Sequence, residues 1–155
     1  MDQTQFLETW EIHNRINLYL LEAVEPAALV SLSASKGRTV GEQFAHLHNV
    51  RLMWLKSAAP DSLRGLTKLE KEQAVDKKLL RSALTDSGQA IGSLLDQAMA
   101  AGGKVKGFKP HAVAFLGYLI SHESHHRGQI ILSLKQAGQA LDKKILYGIW
   151  EWGVR

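Results

Sequence analysis

The chain has no cysteine, which removes disulfides, thiolate metal ligands and a cysteine nucleophile together. Its three prolines, Pro26, Pro60 and Pro110, each fall near an expected element boundary. Long apolar runs are missing too: the longest, around Ala112 to Ile120, contains Gly117 and falls well short of the roughly 18 to 20 residues of a membrane span. The opening MDQTQFLETWEIHNR has no basic start followed by an apolar stretch, so it does not read as a secretory leader. The expected location is cytoplasmic, with no membrane partner. Charge of one sign is also scarce, because 19 Lys and Arg face 15 Asp and Glu for a net charge of +4. The densest basic segments, Lys68 to Lys78 and Lys104 to Lys109, lack interleaved aromatics and match no groove-reading motif, so nucleic acid is not an expected partner.

What remains is ordinary globular usage, with 155 residues, 45% hydrophobic and 22% charged. That size and composition predict one domain over residues 1–155 with a single core. No internal repeat or low-complexity tract interrupts it.

The periodicity predicts an all-α fold. Phe6, Trp10, His13, Leu20 and Val24 recur at helical spacing, giving a first helix from about Asp2 to Glu25, where Pro26 redirects the chain. Thr39 followed by Glu42 makes a capping box for a second helix, closed by Ala58-Ala59-Pro60. Phe44, Leu47, Arg51, Trp54 and Leu55 form one stripe of it and His46, Val50 and Met53 an adjoining one, both expected to face inward. Residues 62–75 show no sustained period and read as a long connection with a helical turn, bordering the site. A third helix runs from about Asp76, through Leu79, Leu80, Ala83, Leu84, Ile91, Leu94, Leu95 and Ala98, to Gly102-Gly103. Pro110 suits a first helical position and Gly138 the residue past the end, with about 27 residues, or about 40 Å of helix, between them. Beyond it, Tyr147, Trp150 and Trp152 carry enough apolar area to pack a short terminal helix, within residues 145–154, back onto the bundle.

The chemistry concentrates in His122-Glu123-Ser124-His125-His126. On a helix, His122 and His126 share one face, with Cβ atoms roughly 6 Å apart, which suits two ligands of one ion. Neutral imidazoles bind zinc, nickel or iron(II), and two of them need help from elsewhere. His46 is the best donor, central in the second helix beside Phe44 and Leu47. His48 is its rival but lies about 200° around that helix. His125 is expected in a supporting or surface place, and His13 and His111 in structural or exposed ones. Gln129 is expected to share the face of the pair and to orient a ligand or a bound water. Gly128 suggests a close approach by a neighbouring helix or ligand, and Arg127 reads as solvated unless it pairs with an acid or an anionic substrate.

The same string satisfies HExxH, in which Glu123 would act as general base of a zinc peptidase. The longer HExxHxxGxxH continuation fails, because Gly128 comes one residue early and no histidine follows. The chain also leaves no room for a protease's substrate-binding sheet, so peptidase activity is not expected.

His122-Glu123-Ser124-His125-His126-Arg127-Gly128-Gln129-Ile130 resembles the HExHHRGQ signature of the DinB/YfiT-like metalloenzyme family. The segment TVGEQFAHLHNVRLMWL, Thr39 to Leu55, is similar to that family's second helix, whose ligand histidine maps onto His46. Asn14-Arg15 and Tyr147-Gly148-Ile149-Trp150-Glu151-Trp152 extend the likeness less diagnostically. The resemblance implies a four-helix bundle with a short C-terminal helical segment, often a homodimer. It also implies a three-histidine metal site, usually zinc or nickel with iron or manganese as alternatives, and chemistry on a low-molecular-weight thiol. Such a site keeps a coordination position open, where a thiol or water can lose its proton and attack a small electrophile. Glu123 is then a proton acceptor or ligand-supporting residue, and Gln129 its catalytic companion. Metal-dependent hydrolysis and a non-catalytic metal-binding stress-response role are the alternatives.

Overall fold

The structure, a computed structural model, describes residues 2–155. Four long helices form the body: α1 (Gln3–Ala23), α2 (Val40–Ala58), α3 (Lys77–Ala100) and α4 (Ala112–Gln136), followed by a short α5 (Lys143–Gly148). The all-α expectation holds. None of these helices is long and apolar enough to cross a membrane.

Each long helix starts on a side chain that accepts one of the backbone N–H groups a helix start leaves unpaired. Asp2 accepts from Thr4 N at 2.9 Å and Asp76 from Leu79 N at 3.0 Å. At α2 the capping box closes both ways, Thr39 N donating to Glu42 Oε2 at 2.8 Å and Glu42 N to Thr39 Oγ1 at 3.2 Å. The start of α4 departs from expectation. Its cap is His111, whose Nδ1 accepts from Ala114 N at 3.1 Å, so Pro110 precedes the cap instead of opening the helix. Gly138, at φ +73°, takes the left-handed conformation that a residue just past a helix end favours.

The buried residues fall into three levels along the bundle. One apolar level joins Phe6 and Trp10 of α1, Leu55 of α2, Ile91, Leu94 and Leu95 of α3, and Phe115, Leu116 and Leu119 of α4. The other joins Leu20 and Leu21, Phe44 and Leu47, Leu80 and Leu84, and Ile130 and Leu134 from the same four helices. Between them in every helix lie buried polar residues: His13 and Asn17, Arg51, Ser87, and Glu123, His126 and Arg127. The order in which each helix passes these levels fixes its direction. α1 and α4 run one way and α2 and α3 the other, so α2 and α3 are parallel neighbours and need a crossover. Residues 59–76 supply it, through two 3-10 turns, Pro60–Leu63 and Lys71–Val75. Leu69 and Ala74 bury into the core from this connection. Gly41 belongs to the same contact: a Cβ there would collide with the Ala74 carbonyl oxygen, so only glycine lets the second 3-10 turn lie against the start of α2.

Two packing expectations are corrected. Met53 is exposed, so only part of the second α2 stripe faces inward. Of the terminal aromatics, Tyr147 and Trp150 do not pack back, being 71% and 76% exposed, while Trp152 is half-buried. Polar contacts also hold the segment, whose Gly148 is buried against Tyr19. The Arg155 guanidinium lies 3.8 Å from the centre of the Tyr19 ring and its Nε donates to the Gly148 carbonyl at 3.0 Å.

Candidate metal centre

His46 of α2 and His122 and His126 of α4 come together, each offering a ring nitrogen within 4.8 Å of the others. The α4 pair faces the same way because a four-residue spacing, about one helical turn, stacks side chains on one helix face. Their Nε2 atoms stand 3.2 Å apart. The His46 ring centre lies 4.5 Å from that of His126 and 5.4 Å from that of His122. Among the described residues no Asp or Glu joins this cluster.

The tautomer of His126 follows from its partner. The Gln43 side-chain oxygen lies 2.6 Å from His126 Nδ1, and an amide oxygen can only accept, so Nδ1 carries the proton and Nε2 presents its lone pair to the cluster. Burial, and then the charges of neighbouring histidines and Arg38, lower His126 to about 4. Burial, Arg38 and His122 lower His46 likewise to about 4, and burial lowers His122. All three imidazoles are therefore neutral near pH 7, the form that binds a cation. At 3.2 Å from that lone pair, His122 Nε2 can either donate its proton to it or share a cation with it. Three neutral nitrogen donors with a second-helix orienter fit zinc, nickel or iron(II).

One flank of the cluster is aromatic. Tyr118 stacks on His122, with ring centres 6.1 Å apart and planes 14° from parallel, and Trp54 meets Tyr118 edge-on. The other flank opens into a cavity of about 690 Å³ lined by His46, Arg38, Asn49, Lys68, Glu70 and Lys71. The connection at residues 62–75 thus borders His46. A second groove, about 600 Å³ between α1 and α3 beside Trp10, Gly88 and Gly92, has no histidine in its wall.

Glu123 and Gln129 stand elsewhere. Glu123 is buried in the polar level, where Arg51 donates from Nε to Oε1 at 2.7 Å and from a terminal nitrogen to Oε2 at 2.8 Å. Asn17 Nδ2 at 2.6 Å and His13 Nε2 at 2.8 Å complete the shell of Oε2. Burial pushes this carboxyl up, but the Arg51 charge and the hydrogen bonds from Arg51 and His13 outweigh it and hold the group well below the usual carboxylate range. A carboxylate so satisfied is a poor general base, which answers the HExxH reading. Gln129 Nε2 lies 3.0 Å from His125 Nε2 at the surface, so its amide serves His125 and not the three clustered histidines.

The remaining histidines and the arginine sort by partner. His48 is buried, with Nδ1 3.0 Å from the Ala83 carbonyl and Nε2 2.8 Å from that of Thr67, so both nitrogens are occupied. Arg127 is buried, not solvated, and donates to Asn17 Oδ1 at 2.7 Å and Ser124 Oγ at 2.8 Å. It also lies 3.3 Å from His13 Nδ1, which fixes that neutral ring with its proton toward Glu123. Gly128 is exposed, with open space where a Cβ would stand, so among the described residues no helix approaches it.

The sequence profile of the DinB family matches residues 1–145. The fold is similar to the crystal structure of a DinB-like protein from Bacillus cereus, with a TM-score of 0.63 and 21% identity, covering 88% of this chain and 93% of that one. Among curated proteins none matches.

Proposed function

The chain belongs to the DinB family, and from that premise we propose that it is a metal-dependent enzyme that activates a low-molecular-weight thiol, or water, for transfer to a small electrophile. The observation that carries this reading is the cluster of His46, His122 and His126, joined by no further His, Asp or Glu among the described residues. A divalent ion held by three imidazoles supplies a Lewis acid that lowers the pKa of whatever occupies its open position. Zinc or nickel suits these donors best, with iron or manganese as alternatives.

The chain's own residues do the rest. Gln43 fixes the tautomer and aim of His126, and burial keeps His46 and His126 unprotonated near neutrality. Having no cysteine, the protein must take any reacting sulfur from a cosubstrate. The cavity beside His46 has room for one. With a chlorinated aromatic as electrophile, the sulfur–carbon bond forms as the carbon–chlorine bond breaks. Chloride leaves with the bonding pair, and the thiol proton passes to solvent.

The test is metal analysis of the purified protein beside His46→Ala and His126→Ala, with thiol conjugation of chlorodinitrobenzene compared against turnover of an activated ester. The expected result is one ion per chain, lost in both variants, with conjugation that depends on metal and thiol. Full occupancy in both variants would sink the site. Ester turnover without thiol dependence would move the reading to a hydrolase, and an inert, saturated metal to a binding protein.

A further inference from the structure

The charges around the three histidines do not balance. The imidazoles are neutral, and the one carboxylate in the buried level, Glu123, is shared by two guanidiniums, Arg51 directly and Arg127 through Asn17 and His13. A divalent ion adds positive charge that no side chain in the cluster offsets. In the cavity next to His46, Lys68 pairs with Glu70 at 3.3 Å and Lys71 with Glu42 at 3.6 Å. Arg38 lines the same cavity and has neither a carboxylate in ion-pair range nor a side-chain hydrogen bond among the described residues. Its backbone is well placed. Lys36 and Gly37, at φ +64° and +91°, turn the loop sharply, and Thr39 is pinned by the capping box, so the arginine leaves the chain immediately before α2.

The geometry points to Arg38 as the residue that recognises an oxyanion, carboxylate or phosphate, on the small molecule used at the three-histidine site. A guanidinium fork matches both groups with two parallel hydrogen bonds. The anion would lie in the cavity with its reacting atom toward His46, and its charge would offset the local excess. This rests on the metal-dependent reading above, yet the Arg38 contact can be tested without it.

Cobalt(II)-loaded protein is titrated with mercaptopropionate and with mercaptopropanol, thiols of equal length that differ in the carboxylate, and binding is read from the cobalt absorption bands. The acid should bind about tenfold more tightly, as expected of one charge-assisted pair. The preference should vanish in Arg38→Gln, partly return in Arg38→Lys, and shrink as salt is added. Equal affinity of the wild type for both thiols, or a preference that survives Arg38→Gln, overturns the assignment. Metal-free protein is separately titrated with succinate and with inorganic phosphate while amide NMR shifts are followed. Shifts confined to residues 37–49 and 68–71 that disappear in Arg38→Gln support the subsite, and the anion that produces them identifies its class. No shift, or shifts indifferent to the substitution, overturns it. A missing cobalt spectrum would count against the metal reading alone, and the succinate and phosphate arms would still decide Arg38.

Discussion

Arg51 and Glu123 meet twice inside the protein, Nε to Oε1 at 2.7 Å and a terminal nitrogen to Oε2 at 2.8 Å, with both side chains almost completely buried. The pair joins α2 to α4, the two helices that carry the three clustered histidines. Arg51 also donates to the Leu84 carbonyl at 2.9 Å and to Asn14 Oδ1 at 2.9 Å, so it ties α3 and α1 to the same level. Desolvating two charges is costly, and such a pair is more telling for register than for net stability. Its place between two apolar levels lets the helices align in only one way.

Removing one partner strands the other charge. Arg51→Met should destabilise the protein by about 3–5 kcal/mol, the usual cost of leaving a buried charge unpaired. Urea unfolding measures this as a lowered midpoint. Glu123→Gln should also lower the midpoint, while the fraction that remains folded keeps its full complement of metal. A Glu123→Gln protein of normal stability that has lost thiol conjugation would instead restore a catalytic role to this carboxylate.

Gln43 touches the candidate metal centre through one hydrogen bond, its Oε1 accepting from His126 Nδ1 at 2.6 Å. Loss of such an orienting partner commonly costs 10–100-fold in metal affinity. Gln43→Leu should therefore weaken zinc or nickel binding by roughly that factor while the fold survives, because Leu fills similar space. Competition against a chromophoric chelator reads the change, and an unaltered affinity would show that the α4 backbone alone sets the ring.

Much of the fold can be read from pattern because three of its devices are local. The capping box at Thr39 and Glu42 and the apolar run of α3 each announce themselves within one or two turns. His122 and His126 do so by spacing, with His46 flanked by the apolar residues that turn α2 inward. The polar level is different in kind. Arg51 sits in an inward-facing stripe with Phe44, Leu47 and Leu55, and Asn17 follows His13 by one turn, but what would satisfy a buried arginine or asparagine stays hidden until its partner on another helix is known. A charged residue within an apolar stripe was the available signal, and only the fold supplies the matching acid. Tyr147 and Trp150 mislead for the opposite reason: their area is large, but nothing local fixes where a short segment docks, and here they stay exposed while Arg155 lies on Tyr19.

The acid limit of metal binding follows from the lowered histidines. In the unfolded chain His46 and His126 take up protons near the ordinary value of about 6.5, whereas in the native protein, through burial first, they do so only near 4. Between those values the unfolded state binds more protons. Stability of the metal-free protein therefore falls as pH drops through that window and is fully present above it. Protons compete with the metal for the native lone pairs only toward its lower end. Zinc occupancy should hold at about pH 6 and fall steeply toward pH 4, below the ordinary histidine range. Half-release already at about pH 6.5 would mean that the rings titrate as if solvated.

Gly128 offers a test of what lies outside the chain. It sits in the middle of α4, where glycine costs about 1 kcal/mol relative to alanine, and the chain places nothing within 4 Å of a Cβ built there. If the helix face is solvated, Gly128→Ala should raise stability by about 0.5–1 kcal/mol, seen as a higher urea midpoint with unchanged metal content. A second chain packed on this face would reverse the sign, because an added methyl would then press against it. The midpoint should be measured at several protein concentrations beside sedimentation of both forms. A stabilised variant with the same sedimentation as the wild type identifies an open face. A destabilised variant that sediments as a smaller species identifies a contact between copies at Gly128.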